Sequence, residues 1–541
     1  MNVTCAKPEL RLNPLLIYIM LIACCIPPLQ AANMAPKNPY LADSTNAMAH
    51  NDPSQQDAVP HRGPGGPSRI LYSDEIEYNH VGPAHFGTLT SGIYADGRRV
   101  FWGNGIDRIA KVDHETYEIL DEYFFPGTET FTSERAEISI AEFNASNDGI
   151  RAIYRSYKEM SKLKNLANLY TLLDRDHNYY IGSKTGLITA YSDEDPQDSR
   201  SKIVKKATFQ LPAEATGHMV GISMTYDGWL ITITEHGYVV AFNRDFSDYR
   251  MIRVKHSEGA QNKATGPTGK GWIRNAPAID QAGGIYIASQ DHMHKVVWTG
   301  DQLSNDEKDG AWTARYLNGL GEGTGATPSL MGFGSEDQFV VITDGQELMN
   351  VVLMWRNGIP EEWVQLEDAP DRRIAGQIAA NMGNPELRSI QSEQSVVVAG
   401  YGALVVNNIP RNIPWYLPNQ ASTLLISLLG SNPRYQPYGV QKFEWDPVAG
   451  QLKQAWVNST ISSPSCVPLV SAGSSLVYLI GARDNRWTLE ALNWGSGRSR
   501  FHYVIGDQRY NVLFSGVGLD ENGRIHYGTP WGRVRLSPKR R

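Results

Sequence analysis

The sequence contains little cysteine. Four cysteines occur in 541 residues, at Cys5, Cys24, Cys25 and Cys466. Removal of an N-terminal leader would leave Cys466 alone, so no internal disulfide could form and the fold must depend on its hydrophobic core. We predict that Cys466, which lies in the apolar stretch SPSCVPLV, is a buried structural thiol.

An excess of positive charge is also lacking. The chain carries 50 Lys and Arg against 57 Asp and Glu, a net charge of −7. A protein that binds nucleic acid in general needs a basic surface to neutralise phosphates, so this composition excludes that class. Long hydrophobic runs are missing too, because the apolar stretch LLIYIMLIACCI is shorter than the roughly 20 residues of a membrane-spanning helix.

Residues 1–31 are typical of an export signal. Lys7 and Arg11 precede the apolar stretch, and the small residues of PPLQAA predict cleavage after Ala31. As an alternative, Leu21 to Cys24 resembles a bacterial lipobox, in which Cys24 would carry a lipid anchor. Either reading predicts an exported protein, periplasmic, secreted or lipid-anchored to the membrane, with no transmembrane helix in the mature chain.

Residues 32–69 differ in composition from the rest of the chain. Pro, Asn, Asp, Ser and Gly dominate there, and aromatic and β-branched residues are scarce. Such a segment cannot bury enough apolar surface to offset the entropy of ordering it. We therefore predict a disordered linker over 32–69, followed by the folded domain at 70–541.

Within the folded domain one pattern recurs about every 50 residues. Each copy has a short strand, a polar turn that ends in Gly, an apolar strand, a second turn and a third strand. Copies begin at Ser91, Tyr170, Gly221, Ala276, Thr327, Ser389, Cys466 and Gly516. One such sheet cannot shield both of its faces, so we predict an all-β, eight-bladed β-propeller, with seven blades as the alternative.

The repeats resemble those of the quinoprotein alcohol dehydrogenase superfamily. The stretch from Ala276 to Val297 follows much of its blade motif P-x-h-D-x-x-G-x-h-h-h-x-(S/T), where h is apolar, and the last quarter is similar to uncharacterised exported propellers. The resemblance implies a propeller and, for the enzymes, pyrroloquinoline quinone beside a calcium held by Glu, Asn and Asp, an Asp base and a disulfide between adjacent cysteines. The one adjacent pair here, Cys24 and Cys25, lies in the leader, and the Trp-containing blade signature is largely missing. These departures argue against a bound quinone and calcium.

Two insertions interrupt the repeats. The first, after the first repeat, has apolar residues at helical spacing and a capping residue at Asn147 or Asp148, so we predict a short amphipathic helix packed on the propeller. Its predicted apolar face comprises Ile150, Ile153, Tyr154, Tyr157, Met160 and Leu163. The second begins at Asn408 and predicts a loop packed over one blade, with a lid, or a patch that touches a membrane or a partner, as the alternatives.

Candidate functional residues follow from blade geometry. The loop that enters the first strand and the turn between the second and third strands lie on one face, around the mouth of the central channel. These loops supply the candidate catalytic residues His218, Arg274, Glu322 and Asp344, together with Trp272, Glu235 and His236. His292 and His294 alternate along a strand and could form half of a metal site. For each the plainer reading is a turn residue, and Asp344 before Gly345 fits a tight turn.

Three functions agree with these residues. The first is binding of a small molecule, glycan or protein partner at the channel-mouth face, and we favour it. The second is a hydrolase or lyase that uses the His, Glu and Arg residues of that face. The third is a quinoprotein oxidoreductase. The sequence has no G-x-S-x-G, P-loop or H-E-x-x-H motif, so it leaves open whether the protein is an enzyme and which cofactor it uses.

Overall fold

The computed structural model describes residues 34–82, 88–162, 170–261, 268–418 and 421–539. Strands dominate these residues and form eight separate sheets. The predicted export signal, with Cys24, lies outside the described residues. Within them, no helix has the length and apolar character needed to cross a membrane.

Each of the eight repeats forms one sheet of antiparallel strands, which we number 1 to 8 in chain order. In the part of the chain that the structure describes, three short strands precede them: β1 (Ala58–Val59), β2 (Arg69–Ile70) and β3 (Ile76–Asn79). Sheet 1 contains β4 (Leu89–Thr90), β5 (Val100–Asn104), β6 (Arg108–Asp113) and β7 (Ile119–Phe124). Sheet 2 contains β8 (Leu172–Leu173), β9 (Tyr179–Gly182), β10 (Leu187–Asp193) and β11 (Ile203–Gln210). Sheet 3 contains β12 (Met219–Met224), β13 (Leu230–Thr234), β14 (Tyr238–Phe242) and β15 (Tyr249–Arg253).

Sheets 4 to 6 continue in the same order. Sheet 4 contains β16 (Ala278–Ile279), β17 (Gly284–Ala288), β18 (His292–Trp298), β19 (Leu303–Ser304) and β20 (Trp312–Arg315). Sheet 5 contains β21 (Ser329–Met331), β22 (Phe339–Thr343), β23 (Asn350–Trp355) and β24 (Ile374–Ala379). Sheet 6 contains β25 (Val397–Ala399), β26 (Gly402–Val406), β27 (Val440–Asp446) and β28 (Gln451–Asn458).

The last two sheets also take up strands from the start of the chain. Sheet 7 contains β29 (Leu469–Ser471), β30 (Leu476–Arg483), β31 (Arg486–Asn493) and β32 (Ser499–Gly506), with β1 and β2 added in parallel at its two edges. Sheet 8 contains β33 (Gly518–Leu519), β34 (Ile525–Thr529) and β35 (Gly532–Leu536), with β3 paired antiparallel to β35. Sheet 8 thus joins the N-terminal and C-terminal parts of the domain.

The repeat pattern explains the strands inside each sheet. The second strand is a run of β-branched and apolar residues, such as LITIT in β13 and FVVIT in β22, and it is buried along its whole length. Tight turns join the strands. Gly283 has φ +84° in the turn before β17, and a Cβ added there would lie 2.2 Å from the carbonyl oxygen of Trp298, so this position requires glycine.

Neighbouring sheets share hydrophobic cores. One core joins sheets 1, 2 and 3, three more join sheets 3 and 4, 4 and 5, and 5 and 6, and a fifth joins sheets 6, 7 and 8. Between sheets 8 and 1, the ring of Phe101 lies 4.9 Å from that of His526. Cys466 is buried in the core of sheets 6 to 8, as predicted, and burial raises the pKa of its thiol to about 12.

Residues 34–60, which we call the N-terminal segment, pack inside the molecule. The segment forms hydrogen bonds with residues in or next to the first strand of every sheet. The partners are Thr90, Leu173, Met224, Ile279, Leu330, Val398, Val470 and Leu519, in sheets 1 to 8 respectively. The prediction of a disordered linker is therefore wrong for the described part of 32–69. The physical reason is that backbone and side-chain groups of the segment form hydrogen bonds with the first strands of all eight sheets, and that its apolar residues are buried in the cores of those sheets.

Three α-helices lie in the described parts of the two insertions. They are α1 (Ser133–Ala145) and α2 (Gly149–Lys162) after sheet 1, and α3 (Ser422–Leu429) between β26 and β27. Helix α2 is the predicted helix, and the carboxylate of Asp148 accepts a 2.6 Å hydrogen bond from the backbone N–H of Gly149 at its start. Helix α1 was not predicted.

The predicted apolar face of α2 is largely wrong. Ile150, Tyr154 and Tyr157 are exposed, whereas Ala152, Ile153 and Ser156 are buried. Leu163 lies outside the described residues. The reason is that α2 packs against α1, α3 and Trp531 of sheet 8 through a narrow, small-residue face rather than against a sheet through its large side chains.

Candidate functional site

A cavity of about 540 Å³ lies between the loops that lead into the first strands. All eight sheets contribute to it at or near this position, with Thr88, Tyr170, Met219, Arg274, Gly325, Glu393, Val467 and Phe514 among the lining residues. The N-terminal segment adds Asn46, Ala49, His50, Asn51 and Asp57, and helices α2 and α3 add Met160 and Thr423. The entry loops therefore meet at one place, as blade geometry predicts.

The lining of the cavity combines apolar and polar groups. The apolar lining residues, which we call the apolar wall, include Leu89, Met160, Met219, Val220 and Phe514. The polar groups lie mainly on the N-terminal segment and on the loops before β16 and β25. A cavity of this size with a few polar groups on an apolar lining is the usual form of a small-molecule site.

Arg274 lines this cavity, and its guanidinium group has several fixed contacts. Its Nε donates a 3.0 Å hydrogen bond to the carbonyl of Thr324, and its Nη2 lies 3.3 Å from the carboxylate of Glu393. Glu322 is 3.9 Å from Nη1 and does not line the cavity. One guanidinium thus faces two carboxylates, and these contacts fix the orientation of its planar group.

Three residues of the cavity form a connected chain of hydrogen-bonding groups. Nδ1 of His50 lies 2.7 Å from Oδ2 of Asp57, and Nε2 lies 3.4 Å from the hydroxyl of Ser395. The Ser395 hydroxyl also accepts a hydrogen bond from the backbone N–H of Thr327 at 3.3 Å. With a proton on Nδ1, His50 donates to Asp57 and offers Nε2 as an acceptor for the proton of Ser395.

The backbone around His50 is strained. His50, Asn51, Gln55 and Asp57 have φ values of 61°, 74°, 59° and 54°, in the left-handed region that costs a non-glycine residue about 1 kcal/mol or more. The segment keeps this conformation because its carbonyls at Pro53, Ser54, Gln56 and Asp57 accept hydrogen bonds from the first strands of sheets 4 to 7. Such strain, over-determined by its surroundings, is typical of residues whose side chains must be held in a fixed place.

Gln394 lies next to Ser395 and lines the same cavity. The residue is 2% exposed, and among the described residues its amide nitrogen Nε2 has no hydrogen-bond partner. A buried amide donor without an acceptor costs about 1–3 kcal/mol.

The other predicted site residues lie outside the cavity lining. Nδ1 of His218 is 3.2 Å from the carboxylate of Glu235, and this pair is confined to sheet 3. Asp344 is buried, which raises the pKa of its carboxyl to about 6, and it accepts hydrogen bonds from the backbone N–H groups of Gln346 and Asn350. It therefore has the turn role that its sequence also fits.

The two histidines of β18 have separate partners. Nδ1 of His292 lies 2.8 Å from Asp291, and Nε2 of His294 lies 2.8 Å from the hydroxyl of Ser289. Burial lowers the pKa of His294 to about 3, so its ring is neutral at ordinary pH. Among the described residues no group of three or more His, Cys, Asp or Glu could hold a metal ion.

Sequence reasoning found Arg274 and missed His50, Asp57, Gln394 and Ser395. A signal existed for Ser395, because it precedes the first strand of the repeat SIQSEQSVVV and so belongs to the entry-loop class. No signal existed for His50 and Asp57. They lie in a polar segment whose partners include strands far away in the sequence, such as those of Val398 and Val470.

Comparison with known proteins identifies relatives of the chain. An uncharacterized protein of Archaeoglobus fulgidus is 33% identical over 513 residues, which cover 93% of this chain and 89% of that protein. The chain belongs to the family of that archaeal protein. No family model matches the sequence.

Two solved structures show the fold of the family. The quinohemoprotein alcohol dehydrogenase of Comamonas testosteroni has a TM-score of 0.52 at 11% identity, over 94% of this chain and 82% of that one. The quinohemoprotein alcohol dehydrogenase ADHIIG of Pseudomonas putida HK5 has a TM-score of 0.50 at 12% identity, over 90% and 76% of the two chains. The predictions of an all-β propeller and of its resemblance to quinoprotein dehydrogenases are confirmed. At this identity the likeness extends to the fold alone.

The cavity of this family member does not fit a quinone beside calcium. Its carboxylates already have partners, since Asp57 contacts His50 and Glu393 contacts Arg274. Calcium requires six to eight oxygen ligands. No reaction step through a quinone follows from these residues.

Proposed function

We propose that the protein binds a small organic molecule in the cavity between the entry loops. One observation supports this proposal above all. A single cavity of about 540 Å³ is lined by residues from all eight sheets, from the N-terminal segment and from two helices. Small-molecule sites typically have volumes of about 300–1,000 Å³, whereas a glycan chain or a protein needs a longer groove or a wider surface. The ligand class that fits has an apolar body and one polar end.

The charges of the cavity support this assignment. The apolar wall would contact the body of the ligand, and the side with His50, Gln394 and Arg274 would contact its polar end. Gln394 offers an unused donor, and Arg274 is held by two carboxylates. An oxygen-bearing group that accepts hydrogen bonds is therefore the polar end that suits these donors.

Gly516 provides a direct test of this proposal. It lines the cavity, and a Cβ added there would meet no atom within 4 Å. Gly516→Leu should therefore fill the cavity without disturbing the fold. Gly358 also has open space around an added Cβ and lies outside the lining, so Gly358→Leu is the matched control.

The probe is 8-anilinonaphthalene-1-sulfonate, which has an apolar body and an anionic end, measured by fluorescence titration. The wild-type protein and Gly358→Leu should bind it saturably. Gly516→Leu should bind it at least about tenfold more weakly, which corresponds to a loss of about 1.4 kcal/mol in binding free energy. Equal binding by Gly516→Leu, or no saturable binding by the wild-type protein, would exclude this cavity as the site.

We also propose that the eight sheets close into an eight-bladed ring and that the protein is exported. Ring closure is supported by the contacts between sheets 8 and 1 and by the place of β3 in sheet 8. Export is supported by residues 1–31 alone. Mass spectrometry of the mature N-terminus would test it, since an uncleaved chain that begins at Met1 would contradict export by this signal.

A further inference from the structure

We propose that the same cavity hydrolyses small carboxylic esters, with Ser395 as nucleophile, His50 as general base and Asp57 as the group that orients His50. This inference rests on the proposed binding site and assigns its ligand class. The three side chains line one cavity, and they are joined through the atoms that the chemistry requires. Asp57 contacts Nδ1 of His50 at 2.7 Å and Ser395 faces Nε2 at 3.4 Å.

The hydrogen bonds around Ser395 direct its proton. Its hydroxyl oxygen accepts from the N–H of Thr327, so its own hydrogen is free to point at His50. The separation of 3.4 Å is longer than an ordinary hydrogen bond of about 2.8 Å. Lengthened contacts of this kind are common in enzymes without substrate and shorten when substrate binds.

Asp57 is suited to hold the imidazole in one orientation. Its side chain is 3% exposed and that of His50 is 9% exposed, so water competes little for their contact. The backbone carbonyl of Asp57 accepts a hydrogen bond from Val470 in β29, which anchors the residue to sheet 7. A buried carboxylate at Nδ1 fixes the tautomer with a free Nε2 and stabilises the imidazolium that forms during reaction.

Gln394 is placed to stabilise the negative oxygen of the intermediate. It is adjacent to Ser395, lines the cavity, and has a buried Nε2 without a partner among the described residues. A preorganised N–H donor that has no ground-state acceptor is the kind of group that stabilises an oxyanion. The apolar wall of Met219, Val220 and Phe514 would accept an acyl or alcohol chain.

The reaction proceeds in two balanced steps. The oxygen of Ser395 bonds to the ester carbonyl carbon while Nε2 of His50 takes its proton, and the bond to the leaving alkoxide breaks as His50 returns that proton to it. Water then attacks the acyl-serine, His50 takes the proton of the water, and the acid leaves as the proton returns to Ser395. The sum is ester plus water giving acid plus alcohol, with no redox change.

The test is covalent labelling by a small alkyl fluorophosphonate, in which a nucleophilic serine oxygen bonds to phosphorus and fluoride leaves. The wild-type protein should gain one adduct, and peptide mass spectrometry should locate it on Ser395. Hydrolysis of p-nitrophenyl butyrate is the second measurement. Ser395→Ala should lose labelling and at least about 1,000-fold of the hydrolysis rate, and Asp57→Asn should lose at least about 100-fold.

Ser289 is the matched control within the chain. Its hydroxyl lies 2.8 Å from Nε2 of His294, but Nδ1 of that histidine faces the hydroxyl of Thr313 instead of a carboxylate, and neither Ser289 nor His294 lines the cavity. Ser289→Ala should be labelled like the wild-type protein. Thermal unfolding of each variant confirms that it is folded before its labelling is compared.

The outcomes separate this inference from the binding proposal. An unlabelled wild-type protein, an adduct on another serine, or full hydrolysis by Ser395→Ala would overturn the esterase assignment. If the probe still binds and Gly516→Leu still weakens binding, the binding site stands without the reaction. If neither labelling nor probe binding occurs, both proposals fail.

Discussion

Burial of single polar side chains has measurable consequences in this protein. Asp344 is 3% exposed, and the removal of its carboxyl from water raises its pKa to about 6, although three hydrogen bonds to the carboxylate act in the opposite direction. A carboxyl that is harder to ionise in the folded protein makes the fold sensitive to pH.

Asp344→Asn should remove this sensitivity. Between pH 4 and 6 the folded protein keeps a proton that the unfolded chain has released, so the wild-type free energy of unfolding falls as pH rises, by about 3 kcal/mol in total. Above pH 6 the free energy of unfolding remains lower by this constant amount. The asparagine variant does not ionise, and its Oδ1 still accepts the two backbone hydrogen bonds of the turn, while the hydrogen bond from the Asn350 amide to Oδ2 is lost at every pH. Relative to the wild-type protein, its free energy of unfolding, measured by urea unfolding, should therefore rise by about 2–3 kcal/mol from pH 4 to pH 7, with most of the change complete at pH 6.

Asp174 provides the control for this measurement. It has the same turn role, accepting from the N–H groups of Asp176 and Asn178, but its carboxylate also contacts Arg244 at 2.9 Å. Asp174→Asn removes an ion pair and should lower stability at neutral pH. If both variants gained stability, the gain of Asp344→Asn could not be attributed to the burial of a carboxylate that, unlike that of Asp174, has no ion pair with an arginine.

At the scale of elements, the strands could be predicted from the sequence and the N-terminal segment could not. Within each repeat, polar turns alternate with apolar strands. Its sheet can therefore be predicted from residues that are close together in the sequence. The segment has no such pattern, because its order depends on strand edges that only the folded sheets create. The same difference explains why Arg274 was found and His50 was missed.

The exposed face of α2 shows a second limit of local pattern. Helical spacing identified the helix correctly, but spacing alone does not say which side meets the protein. Two neighbouring helices bury the side with Ala152 and Ile153, and Tyr154 and Tyr157 are left exposed. Only the tertiary contacts of α1 and α3 decide this.

Hydrogen exchange should detect the order of the N-terminal segment. Ala42 donates to Leu173, and Leu173 donates to Ala47, so peptides from residues 41–59 should exchange as slowly as the first strands they contact. The exposed loop at residues 126–130 should exchange within seconds and serves as the reference. If residues 41–59 exchanged as fast as that loop, the segment would be a disordered linker in solution, as its composition predicts.

At the scale of the whole molecule, Arg535 links the end of the chain to its beginning. Its guanidinium contacts the carboxylate of Glu77 in β3 through two 2.5 Å hydrogen bonds, and it also donates to the carbonyls of His114 and Glu115 in sheet 1. A residue of sheet 8 thereby holds the turn between β6 and β7. If the eight sheets close into a ring, this is one of the contacts that close it.

Arg535→Met should therefore loosen a distant part of the sequence. It leaves a carboxylate and two carbonyls unpaired, which should cost about 3 kcal/mol in urea unfolding. Hydrogen exchange should accelerate at residues 113–118, where the N–H of Tyr117 bonds to the carbonyl of Asp113. Lys453→Met removes the surface pair with Asp446 at the edge of sheet 6 and should leave residues 113–118 unchanged. Unchanged exchange in Arg535→Met would mean that sheets 8 and 1 do not support each other in solution, and the ring would then be open at this seam.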